Sequence, residues 1–139
     1  MSLDFQGTLV SVVQITALIL LTIGVYPYRI RTKNRNLIMH GFLGIVALAL
    51  NLGTVIWVMF PSFGSGISTW SLTQLTVVLL HAVLGTISIV LGFVIIASWV
   101  IHPLGEMGCN KTWRLMIPTF AVWALALMIG LAIYFFNIV

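Results

Sequence analysis

Charge is what this sequence has least of. Of its 139 residues 6% are charged: six are Lys or Arg, and only Asp4 and Glu106 are acidic. A water-soluble domain carries roughly a quarter charged residues to cover its surface, so composition excludes a dissolved globule. Paired carboxylates for acid–base hydrolysis are absent, as are a glycine-rich phosphate loop, a Walker motif and a zinc-spaced Cys/His cluster. No nucleophile–base pair for hydrolysis inside a membrane stands out. The single cysteine, Cys109, excludes an internal disulfide and reads as a free thiol. The N-terminus carries Asp4 and no basic stretch, which argues against a cleaved signal peptide.

Apolar residues fill the space that charge leaves. They make up 61% of the chain, and the mean hydropathy is +1.21. A hydrocarbon core about 30 Å thick takes roughly 20 apolar helical residues, and four segments qualify. They run approximately over residues 8–26, 37–60, 72–101 and 113–137, the first three closed by Pro27, Pro61 and Pro103. The length of the third implies tilt or projection beyond the bilayer. The expected fold is all-α: one integral membrane domain over residues 1–139, an up-and-down antiparallel four-helix bundle with short connections.

The few charges set the expected direction. Arg29, Arg31, Lys33 and Arg35 lie in the first connection, Lys111 in the third, and Arg114 just inside the last helix. The second connection, 61–71, has none and reads as a Ser/Gly turn. By the positive-inside rule the loops 27–36 and 102–112 are cytoplasmic and both termini are outside, as in a multi-pass cell-membrane protein. Tyr26, Tyr28, Trp99 and Trp113 are expected at the inner interface, and Trp57, Trp70 and Tyr134 at the outer one. The sequon Asn110-Lys111-Thr112 would be silent on the cytoplasmic side. The sequence pI near 9.9 needs no nucleic-acid partner, because lipid headgroups and topology explain basic residues beside apolar runs.

Three histidines, His40, His81 and His102, are the candidates for chemistry. His40 and His81 share the pattern H-x-x-L-G. His40, Gly44, Ala47 and Asn51 have the same offsets as His81, Gly85, Ser88 and Gly92, and each set forms one helical stripe. Polar groups at membrane depth face the bundle interior and find partners. Two readings follow. Small residues let helices approach while each histidine bonds a neighbouring helix; or they leave room for a flat macrocycle, with histidine as axial ligand to haem iron. By helix rise the two lie roughly 20 Å apart along the membrane normal, too far to share one iron. Met39 and Met116 fall near the level of His40, and Gln14, Thr54 and Met128 near that of His81. His102 is a weak metal candidate, at the interface.

The stretch Leu80-His81-Ala82-Val83-Leu84-Gly85-Thr86, a polar loop, then Lys111-Thr112-Trp113-Arg114-Leu115-Met116-Ile117-Pro118 and a closing apolar helix resemble the YozB-like small four-helix membrane proteins. That family, a domain of unknown function, is linked to respiratory oxidases. The resemblance implies a histidine-rich membrane protein, with His81 at the family's third-helix histidine. Arg35 and Trp113 stand where the family tends to carry histidines. A fainter likeness to transmembrane b-type cytochromes rests on the two H-x-x-L-G stripes.

The leading expectation is a small haem-binding membrane cytochrome or cytochrome-like subunit in membrane electron transfer. It would hold haem b through His81 first and His40 second, with Gly85 and Gly44 making room. The alternative is a cofactor-free accessory or assembly subunit of a larger respiratory complex. A transporter or channel lined by Gln14, Asn51 and Thr54 comes third, and a stand-alone enzyme is not expected. Expected partners are the lipid bilayer and a second copy or a respiratory complex.

Overall fold

The computed structural model describes residues 3–29, 34–101 and 106–136, with side chains for 6–24, 39–64, 66–101 and 114–136. His102 lies outside the described residues. So do the side chains of Tyr26, Tyr28, Arg29, Arg35, Cys109, Lys111 and Trp113, with all of Arg31 and Lys33.

Among the described residues every element is helical: α1 Leu3–Arg29, α2 Asn34–Thr54, a π-helical segment Val55–Met59, α3 Phe60–Gly66, α4 Leu72–Ile101 and α5 Glu106–Phe135. Four stretches are long and apolar enough to cross a membrane: Gln6–Gly24, Met39–Gly64, Leu72–Ile101 and Arg114–Phe135. The third has the expected bounds, but helix continues beyond two expected stops. A proline removes one hydrogen bond and crowds the carbonyl four residues earlier, yet residues after it can stay helical. Accordingly α1 runs two residues past Pro27 to Arg29.

At Pro61 the accommodation is visible. The carbonyl four residues back is that of Trp57, inside the segment Val55–Met59, where the helix widens to π spacing and Phe60 N–H bonds Val55 O. A widened turn gives the ring room. The helix then continues through Phe60–Gly66, where a Ser/Gly turn was expected. The helix breaks at 67–71: Thr69 N–H and Trp70 N–H both donate to Gly66 O, and the Trp70 ring covers Gly66, where a Cβ would collide with it. Ser71 and Gln74 close a reciprocal capping box at the start of α4, Ser71 N–H to Gln74 Oε1 at 2.8 Å and Gln74 N–H to Ser71 Oγ at 3.4 Å.

The helices associate as two close pairs, α1 with α2 and α4 with α5, joined by sparser contacts of α2 with α4 and α1 with α5. The interior is made of small and polar residues. Ala17 and Ala47 are 0% exposed and Ser88 1%, and the larger apolar side chains buried with them among the described residues are Trp123, Leu48 and Leu127. The large apolar side chains point outward, including Ile19, Phe42, Val83 and Phe93. Close approach of small residues is how helices pack when the surroundings are as apolar as the side chains.

Candidate functional site

The two histidine stripes do different things at different positions. At the +7 offset, Ala47 and Ser88 are the helix-contact points, both fully buried. At the +4 offset, Gly44 and Gly85 hold no helix close: a Cβ at either meets nothing within 4 Å. Glycine at these places leaves room rather than contact.

Each histidine fastens its helix to a neighbour. His40 Nδ1 lies 2.7 Å from Gly24 O on α1, and His81 Nδ1 lies 2.9 Å from Ala126 O on α5. A carbonyl only accepts, so Nδ1 carries the proton in both rings and Nε2 is the acceptor nitrogen of the neutral tautomer. Small residues admit both contacts. The need is strict at Gly130, where a Cβ would stand 2.8 Å from His81 Cε1; a Cβ at Gly24 would stand 3.5 Å from His40 Nδ1, an ordinary contact. The neighbours expected for His81 are not its hydrogen-bond partners: Met128 faces outward, 60% exposed, and Gln14 and Thr54 bond elsewhere.

Gln14, Asn51 and Thr54 form a buried polar knot between α1 and α2. Gln14 Nε2 donates to Asn51 Oδ1 at 2.8 Å and to Thr54 Oγ1 at 2.5 Å. Thr54 Oγ1 in turn donates to Asn51 O at 2.8 Å. Trp123 Nε1, which can only donate, reaches Gln14 Oε1 from α5 at 3.4 Å and so fixes which way the amide points. These groups bond one another rather than line an open polar path.

Beside this knot the bundle is hollow. A cavity of about 110 Å³ is bounded by Leu21 and Gly24 of α1; His40, Gly41, Gly44 and Leu48 of α2; Gly92, Ile95, Ile96 and Trp99 of α4; and Met116, Thr119, Phe120 and Trp123 of α5. It is partly open and its wall is almost wholly apolar. Trp99 lies against Gly41, where a Cβ would overlap the indole. Its Nε1 is buried with no hydrogen-bond partner among the described residues.

Of the expected site residues, His40 and Gly44 line this cavity and His81 and Gly85 do not. Trp99, which packs on the glycine next to His40, is 18 residues from His81 along α4, about 27 Å at 1.5 Å per residue. Met116, placed near His40 by depth alone, shares the cavity with it. The sequence reading missed Trp99, Gly24, Gly92 and Phe120 as cavity walls. Glycines recurring along α2 and α4 carried part of that signal.

The donor set suits haem iron: an imidazole whose Nδ1–H is held by a backbone carbonyl, as in metal-ligating histidines, and a thioether. The volume does not suit it. A cavity of about 110 Å³ is smaller than the roughly 150 Å³ that accommodates one benzene ring, and a tetrapyrrole needs the helices to part. Among the described residues there is no group of three or more His, Cys, Asp or Glu that could hold a metal ion. No known family model, no curated protein and no solved structure matches this chain.

Proposed function

We propose that this chain is a multi-pass membrane subunit of an electron-transfer assembly, not a stand-alone enzyme, and that it holds a small apolar ligand in the cavity beside His40. The cavity is the observation that carries the reading: small, apolar, and walled by all four long helices. Lipid as the surrounding solvent is supported by the outward-facing Ile19, Phe42, Val83 and Phe93 over a small-residue interior. An antiparallel arrangement is supported by the order of contacts. Ascending α1, Gly7, Gln14 and Gly24 meet descending positions elsewhere: Tyr134 on α5, then Asn51 on α2 with Trp123 on α5, then His40 on α2. The positive-inside rule puts the His40 end, next to the basic loops, in the cytoplasmic half. The link to electron transfer comes from the resemblance in the sequence.

A haem-binding cytochrome is the second reading, favoured by His40 and Met116 on one cavity. In that reading His40, not His81, is the first ligand, and the bound group would supply one-electron chemistry. A reduced-minus-oxidised spectrum of the protein, expressed with ample haem and purified in detergent, separates the two. We expect no Soret band and saturable uptake of a small apolar probe; a Soret band lost in His40→Ala would establish the cytochrome instead.

A further inference from the structure

The cavity is long for its volume. Its lining runs from His40 to Leu48 on α2, from Gly92 to Trp99 on α4 and from Met116 to Trp123 on α5, about 10–12 Å on each at 1.5 Å per residue. Yet the space within is about 110 Å³, below the roughly 150 Å³ that accommodates one benzene ring. Two helical turns of length at that volume make a slot parallel to the helices, too slim for a ring and suited to a single hydrocarbon chain. Water is a poor occupant, because it takes two to four polar partners and this wall is almost wholly apolar. Midway along the slot, a Cβ at Gly44 would meet nothing within 4 Å.

The packing around the slot shows where a chain can enter. At this level α1 is tied to α2 by His40 and Gly24. The α2–α4 seam is closed by Trp99 on Gly41 and by Leu48, whose Cδ1 lies 3.3 Å from where a Gly92 Cβ would stand. In contrast, α1 is tied to α5 toward the other end, by Tyr134 against Gly7 and Thr8 and by Trp123 on Gln14, and these two helices have the sparsest contacts. The partly open cavity is therefore least enclosed between Leu21 and Gly24 on α1 and Met116 and Phe120 on α5, a seam that faces lipid.

Charge marks the same end of the bundle. Arg29 ends α1 five residues beyond Gly24, Arg35 precedes His40 by five, and Arg114 precedes Met116 by two, all within about 8 Å of the slot along the helices. Asp4 is at the opposite end. Basic residues beside a span attract anionic lipid headgroups.

We infer that the slot holds one acyl chain of an anionic phospholipid, which enters between α1 and α5 while its phosphate rests over the basic helix ends. The inference rests on the reading of this cavity as a ligand site and adds the class of ligand.

The test places the full chain in nanodiscs of equal parts phosphatidylglycerol and phosphatidylcholine with identical chains, one lipid chain-deuterated at a time. Nuclear Overhauser effects are read from chain methylenes to the indole protons of Trp123, which is 5% exposed; Trp57, 84% exposed, gives the reference for ordinary lipid contact. The Trp123 signal is expected from phosphatidylglycerol at least fivefold more strongly than from phosphatidylcholine. Gly44→Leu should abolish it, Gly44→Ala should weaken it, and Arg114→Gln should at least halve the preference between the lipids. Equal signals from both lipids overturn the anionic assignment. No signal at Trp123 in the parent protein, or one unchanged in both Gly44 variants, overturns the acyl chain altogether. In that event saturable xenon binding, lost in Gly44→Leu, would still leave the cavity a ligand site, and its absence would remove that reading as well.

Discussion

At the scale of single residues, the glycines separate into those that permit contact and those that leave space. Gly41 and Gly44 are three apart on one helix and look alike in sequence. A Cβ at Gly41 overlaps the Trp99 indole; one at Gly44 meets nothing within 4 Å. Gly41→Ala should therefore cost about 1–3 kcal/mol through overpacking, and Gly44→Ala should stay within about 0.5 kcal/mol of the parent, compared by reversible unfolding in bicelles. The polar knot gives a second contrast. Gln14→Leu strands both Asn51 Oδ1 and Trp123 Nε1, whereas Thr54→Val removes one hydroxyl. Interhelical hydrogen bonds in membranes average about 0.6 kcal/mol and reach about 1.7. Gln14→Leu should lie at or above the top of that range and Thr54→Val near its mean, with a double-mutant cycle showing coupling. The three polar residues were visible in the sequence as rare polarity inside apolar runs. That they close on one another was not, because hydrophobic periodicity says which face is inward and not which side chain it meets.

At the scale of elements, the prolines were the misleading signal. Pro61 read as the end of the second helix, yet the chain goes through it by widening Val55–Met59 and adding Phe60–Gly66. Proline marks a break in the hydrogen-bond ladder, and a widened turn relieves that break without ending the helix. Pro61→Ala restores the missing donor. It should let residues 55–59 tighten to α spacing, which removes one residue from the turn and rotates the following helix by about 100° relative to the preceding one. Loss of the Phe63–Trp70 edge contact, now 5.7 Å between ring centres, would report it by NMR. An unchanged contact would mean that the bulge has another cause. The start of α4 was legible by contrast, since Ser71-Leu72-Thr73-Gln74 carries its own capping box.

At the scale of the whole molecule, hydropathy alone gave the number of helices, because four apolar runs of membrane length survive any detail of packing. Direction rests on the basic loops, and the chain carries its own probe. Cys109 is the only cysteine, so an impermeant maleimide should fail to label it in intact cells and label it after permeabilisation. In Cys109→Ser, a cysteine introduced at Ser68 should show the reverse. The cavity could not be read from the sequence. Its lining gathers residues from 21 to 123, and a void is a property of how four helices fail to meet, which no single stripe records.

The uneven pairing of the helices has a consequence for how the molecule is born. Gln14–Asn51 and His40–Gly24 lie wholly within the first 54 residues, so the opening half of the chain has its own fastenings before the ribosome has made the rest. The closing half brings His81–Ala126, and the two meet along a seam crossed by Trp123–Gln14 and Thr8–Tyr134 hydrogen bonds and by the packing of Trp99 on Gly41. A polypeptide ending after Gly66 and another beginning at Ile67, synthesised together, should therefore find each other in the bilayer.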